Sequence, residues 1–218
     1  MYNLKKGISM KYFTEKVANA LYNSGCIKFG SFKIKSGAQS PYYIDMARLL
    51  SNPKELCNIV DASTEKILEI TAANPIDKLA SIELKGALIA PSIACRLNMP
   101  CIIVRKEEKA YGFKGRIAGA DVLAGDRVLF FDDVVSEGLS KIEGVKPLQE
   151  LGATVQDLLV VVNREQGGKE TLEKLGFHVH ALSRISEIVN SLRNLEKISD
   201  LQEEAVLDYV RKLEATNQ

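Results

Sequence analysis

The chain has 218 residues, 29 Lys and Arg against 28 Asp and Glu, and 46% hydrophobic residues. This mixture excludes a disordered chain, a collagen and a bare coiled coil, and predicts one soluble domain over residues 1–218 with a core that needs no staple. The net charge of +1 lacks the field on which non-specific nucleic-acid binding depends, and no apolar run reaches the ~18 residues of a membrane span.

The opening MYNLKKGISMKYF carries two lysines with no apolar segment after them, so it does not read as a secretory signal. Phe13, Val17, Ala20 and Leu21 fall at helical spacing and predict a helix over 11–25, ended by Gly25. CIKFGSFKIKSG then alternates apolar and polar residues. It predicts a hairpin-like stretch with Gly30 as turn and Gly37 as stop. PYYIDM follows as a short strand. From Pro53 a long helix is expected, with Leu56, Ile59, Val60, Ile67 and Leu68 on one stripe and Asn74-Pro75 as its break.

Next comes a repeating grammar of short apolar runs that end in polar residues. CIIV leads to Arg105-Lys106, VLFF to Asp132-Asp133, and LLVVV to Asn163-Arg164-Glu165, with helical segments between. Apolar runs without alternation suit strands buried on both faces, and strands alternating with helices suggest βαβ units and a parallel sheet. Ligands bind such sheets beyond the carboxyl ends of the strands, where this chain puts its charges. FHVHAL predicts a surface strand with His178 and His180 on one face. In the tail, Ser199 with Gln202 three residues on forms a capping box for a last helix that packs on the domain or pairs two subunits. Cys26, Cys57, Cys95 and Cys101 form no CxxC pair, so free buried thiols and a reducing, cytoplasmic setting are expected.

The segment richest in chemistry is VLFFDDVVSEGLS, residues 128–140. A buried strand meets two aspartates, then a Ser/Gly loop, then a helix. Backbone N–H groups at a helix mouth bind anions, Ser136 and Ser140 add hydroxyls, and Gly138 lets backbone approach a phosphate. Asp132 and Asp133 cannot both face apolar core as charges; beside a phosphate cradle they suit sugar hydroxyls or a metal. VRKEEKAYGFKGR sets five basic residues against two acidic ones. Alone it reads either as a clamp closing on a diphosphate or as a solvated basic hairpin. Arg164 offers a planar donor fork at a strand end, suited to a carboxylate or to an ion pair with Glu165 or Asp133.

An acidic pair after an apolar strand, followed by a Ser-x-Gly-x-Ser loop, resembles the phosphoribosyl-diphosphate (PRPP) signature of the type I phosphoribosyltransferases. FKIKSGAQSPYYID, ELKG, VRKEEKAYGFKG and VVNREQGGKETL, in this order over about residues 10–190, resemble the orotate phosphoribosyltransferases within that family. The resemblance implies an α/β fold: a central mostly parallel sheet flanked by helices, a small N-terminal hood (about 10–50) and a C-terminal helical tail (about 190–218). It implies transfer of ribose 5-phosphate from PRPP to orotate, giving orotidine 5′-monophosphate and diphosphate in de novo pyrimidine biosynthesis. The length implies no fused decarboxylase domain.

By the same resemblance PRPP would contact Lys35, Lys85, Arg105, Lys106, Lys109 and Tyr111, then Asp132, Asp133, Val134, Val135, Ser136, Glu137, Gly138, Leu139 and Ser140. Orotate would meet Lys35, Tyr43, Ile44, Ser136 and Arg164. Lys109, Asp132 and Asp133 would be catalytic, with Lys109 acting on the neighbouring subunit of a homodimer that shares its active sites. Mg²⁺ would ride mainly on the diphosphate rather than on protein ligands, and neither nucleic acid nor membrane is expected as a partner. Three segments depart from the family pattern: Gly86-Ala87-Leu88 where Gly-Ile-Pro is common, Glu137 beside a 5′-phosphate, and Leu139 in place of a small residue. Pro147 is expected to interrupt the helix after the phosphate loop. The sequence also admits transfer to another base, or a non-catalytic PRPP- or RNA-binding regulator on the same fold.

Overall fold

The computed structural model describes residues 10–34, 37–72, 74–109 and 115–216. The main sheet has six strands: β3 (Lys78–Ile82), β4 (Cys101–Lys109), β5 (Gly115–Gly119), β6 (Arg127–Val135), β7 (Thr154–Asn163) and β8 (His178–Arg184), in the order β5-β4-β3-β6-β7-β8. All neighbours run parallel except the β4–β5 hairpin at one edge. β6 and β7 are buried on both faces, which is why their apolar runs do not alternate with polar residues.

Helices cover both faces. α1 (Met10–Asn23), α2 (Pro53–Thr71), α3 (Ala90–Leu97) and α6 (Ile185–Asn194) share one core with Leu129, Phe131 and Leu159. α4 (Leu139–Glu150) and α5 (Gly168–Lys174) share the other with Phe130, Leu158 and Val160. Successive residues of β6 thus feed opposite cores, as pleating requires. β1 (Ile27–Lys33) and β2 (Gln39–Ile44) form a separate antiparallel ribbon. The last helix, α7 (Asp200–Thr216), packs on that ribbon through Tyr209 against Tyr42. Its start is the expected capping box: Ser199 N–H donates to Gln202 Oε1 at 2.9 Å and Gln202 N–H to Ser199 Oγ at 3.3 Å. No helix among the described residues is long and apolar enough to cross a membrane.

Several local expectations are corrected. Gly30 is not the hairpin turn; it lies within β1, where the β1–β2 register shifts between Phe29 and Phe32, and the chain reverses near Gly37 (φ 87°). β4 runs on through Arg105 and Lys106, and β6 through both aspartates to Val135. In β6 the charged residues end the apolar run without ending the backbone pairing, since Asp132, Val134 and Val135 still pair with β7. Pro147 does not interrupt α4. It sits in the last turn, buried, and the carbonyl that loses its bond belongs to Glu143, an exposed residue. Of the four thiols only Cys26 is buried; Cys57 and Cys95 are exposed. His178 and His180 share one face of β8 as expected, both facing Asp157, at 3.4 and 2.9 Å.

Candidate active site

The sheet has a topological switch point. β4 lies on one side of β3 and β6 on the other, so the chain departs in opposite directions from the carboxyl ends of β3 and β6. At that crevice the turn after β3 meets the acidic end of β6. A Cβ on Gly86 would lie 2.4 Å from Asp132 Oδ1 and 2.6 Å from Ser81 Oγ, so only glycine lets the two turns come this close. Ser81 Oγ is buried there without a hydrogen-bond partner among the described residues.

Asp132 and Asp133 are 5% and 7% exposed. Asp132 Oδ1 accepts the Asp133 N–H at 2.9 Å, and its Oδ2 pairs with Lys141 Nζ at 2.6 Å. Lys141, 4% exposed, also donates to the Val134 carbonyl and, at 3.2 Å, to Ser140 Oγ. Burial, and then the charge of Asp132, push the Asp133 carboxyl up to about 7, with Lys141 partly opposing. The acids are therefore a buried pair served by one ammonium group rather than open charges at a strand tip. Val135 is fully buried.

Between β6 and α4 the chain turns through Ser136, Glu137 and Gly138, the last at φ 88° as N-cap of α4. Glu137 and Leu139 are exposed. Glu137 opens onto a cleft it shares with Lys169 and Thr171, so its carboxylate reaches solvent. The neighbouring NREQGG turn supports the loop from the side. Gly168 donates its N–H to the Ser136 carbonyl at 2.8 Å, and a Cβ on Gly168 would lie 2.3 Å from that oxygen. Arg164 donates from Nε to the Tyr42 hydroxyl at 3.2 Å and from Nη1 to Ser136 Oγ at 3.4 Å, with its guanidinium carbon 5.0 Å from the Tyr42 ring centroid. Neither acid expected as its ion-pair alternative, Glu165 or Asp133, is its partner; Glu165 instead accepts from the N–H and hydroxyl of Ser186 at the start of α6.

The ribbon closes the other side. Tyr43 is exposed, with Lys85 Nζ 5.7 Å from its ring centroid, and Lys85 pairs with Asp45 at 3.2 Å. Ile44 is turned into the core opposite Ile27, so of the pair 43–44 only Tyr43 presents an open face. Arg105 is half-buried and Lys106 exposed on β4. Residues 105–109 continue past the last β4 residue that pairs with β3, and Lys109 pairs with Gly115 across the hairpin. Lys35 and Tyr111 lie outside the described residues. The structure thus gathers Lys85, the acid pair, Ser136 to Ser140, Tyr43 and Arg164 around the switch point. Sequence reasoning passed over Lys141, Ser81 and, as an Arg164 partner, Tyr42. A lysine one residue past the loop serine was the available signal for the first.

No family model matches the chain. It is 41% identical over 174 residues to the orotate phosphoribosyltransferase of Pyrococcus horikoshii, covering 80% of this chain and 92% of that protein. It is 36% identical over 195 residues to that of Saccharolobus solfataricus, covering 89% and 96%. Among solved structures, the orotate phosphoribosyltransferase of Aeropyrum pernix matches with a TM-score of 0.69 at 28% identity over 84% of this chain and 99% of that one. The UMP synthase of Leishmania donovani matches with a TM-score of 0.83 at 32% identity, over 94% of this chain but 44% of that longer one.

Proposed function

The chain belongs to the orotate phosphoribosyltransferases, glycosyltransferases of pyrimidine biosynthesis, and on that premise we propose how its residues divide the work. The observation that carries the proposal is the contact of Gly86 with Asp132 at the switch point, beside the Arg164 fork. Three strand ends there offer what PRPP and orotate need: a diphosphate turn after β3, a ribose 5-phosphate turn after β6, and a carboxylate fork after β7.

A ring nitrogen of orotate, with loss of its proton, attacks the anomeric carbon of PRPP as the bond to diphosphate breaks. No side chain need act as nucleophile; positive charge gathers on the sugar and negative charge on the leaving group. The acids at 132–133 hold the ribose hydroxyls and face the sugar as it becomes cation-like. Residues 136–140 take the 5′-phosphate on backbone N–H groups and on Ser136 and Ser140. Lys85, Arg105, Lys106, Lys109 and Tyr111 meet the diphosphate, stabilising charge as it develops in a site from which water is excluded. Arg164, aimed by Tyr42, binds the orotate carboxylate, while Lys35 and Tyr43 flank the base.

Among the described residues no group of three or more His, Cys, Asp or Glu side chains is gathered to hold an ion. Mg²⁺ keeps several waters and favours phosphate oxygens, so it would be held through PRPP. When bound it would supply positive charge to the departing diphosphate. The overreach of β4 past β3 supports a hairpin that reaches a second subunit, so we assign the enzyme to a homodimer with Lys109 acting in trans. Free thiols, two of them exposed, support a cytoplasmic setting. The test is direct: pure protein with orotate, PRPP and Mg²⁺ should consume orotate absorbance. No change with folded protein would overturn the assignment of the site.

A further inference from the structure

We infer that Lys141 is a positioning residue of the transfer site: its ammonium group holds Asp132 and the Val134 carbonyl, and so sets the turn that receives the ribose 5-phosphate part of PRPP. The inference rests on the reading that residues 132–140 bind PRPP. Lysine is almost never this deeply buried unless paired. Here its three donors meet three acceptors: Asp132 Oδ2, the Val134 carbonyl and Ser140 Oγ. Two acceptors lie before the loop and one after it, so a single group ties both ends of the turn.

Stability alone does not account for the arrangement. A buried ion pair contributes little over an apolar pair of the same volume, so a simple brace could have been built without charges. What the ammonium provides is specific to ligand binding. PRPP brings a phosphate and a diphosphate to a place that holds two adjacent carboxylates. One fixed cation beneath them lowers the negative charge the substrate meets, at a distance where solvent screens poorly. With both its oxygens occupied, Asp132 becomes the oriented partner, and Asp133 is left as the acid freer to meet the sugar.

The experiment is steady-state kinetics on Lys141→Met, Lys141→Gln, Lys141→Arg and, as a reference, Asp133→Asn, each with a melting curve. Lys141→Met should raise the KM for PRPP about tenfold or more, with the KM for orotate within about twofold of wild type. Lys141→Arg should recover most of the loss. If Lys141→Met does not fold, Lys141→Gln, which keeps a donor for the Val134 carbonyl, should show the same selective change in smaller measure. A folded Met or Gln variant with wild-type PRPP kinetics would overturn the inference. So would an equal change in both KM values that follows a lowered Tm, the mark of a brace. If Asp133→Asn is also indistinguishable from wild type, the acid-pair reading itself has failed; if Asp133→Asn is impaired while the Lys141 variants are not, only the role of Lys141 falls.

Discussion

The β6–α4 turn and the β4–β5 hairpin are both expected to grip the same substrate, and they are built in opposite ways. The turn is cross-tied over a buried acid pair: Asp132 to Lys141, Ser136 to Gly168 and Arg164. The hairpin outruns its neighbour strand, and Lys106 on it is exposed, with its N–H donating to Glu83 at 3.3 Å. The contrast teaches a division between a preformed half, to which the proposed function gives the sugar, and a less tied half, to which it gives the charge of the leaving group. Pre-organised dipoles need no rearrangement during reaction, while a clamp must open to admit and release ligand.

The largest effect should come from breaking the preformed half. Asp133→Asn should lower kcat by about 10²–10³-fold, the scale on which removing one pre-organised group acts. Its circular dichroism should match wild type, since Asp133 lacks the lysine pairing that Asp132 holds. Next, the clamp is tested by mixing. Lys109→Ala and Asp133→Asn should each be nearly inactive alone. If Lys109 serves the partner subunit, a mixed dimer regains one intact site, and subunit exchange should restore part of the wild-type rate. No recovery, with exchange confirmed by native mass spectrometry, would place Lys109 in its own subunit's site.

Within the preformed half, Arg164→Ala should raise the KM for orotate by roughly 10–100-fold, the worth of a charge-assisted hydrogen-bonded pair, with PRPP affected less. Tyr42→Phe, which removes only the aim of Arg164, should cost about a tenth of that or less. An unchanged orotate KM in Arg164→Ala would remove the base from this side of the crevice.

A further measurement sharpens the electrostatics. Asp133 binds its proton more tightly folded than unfolded, so between its ordinary value of about 4 and its folded value of about 7 the native state holds more protons. Its contribution to stability is therefore present at low pH and lost as pH rises through that window. The Tm advantage of Asp133→Asn over wild type should grow from pH 4 to pH 7 and level off above; a flat difference would mean that the carboxyl ionises normally. The smallest effect is expected at Glu137. Because that residue is exposed, Glu137→Ala should tighten PRPP binding by no more than a few-fold at low salt, and by less at physiological ionic strength. A large gain by calorimetry would show its carboxylate turned toward the 5′-phosphate.

The sequence by itself determined the elements whose cause is local. Unbroken apolar runs marked β6 and β7 as doubly buried, Ser199 with Gln202 marked the start of α7, and the acid pair with its Ser/Gly loop marked the turn from β6 into α4. Tertiary structure decided what depends on distant backbone. Tyr42 and Arg164 meet across 122 residues, Gly86 is small because Asp132 stands against it, and Gly168 because the Ser136 carbonyl does. The same limit explains the errors at Gly30 and Pro147, where local rules for turns and helix breakers gave way to ribbon pairing and to packing in a buried last turn. Whether a charge such as Lys141 is solvated or buried is not a property of its neighbours in the chain. It is settled by the acceptors the fold brings to it, because a buried ammonium persists only where its donors are all met.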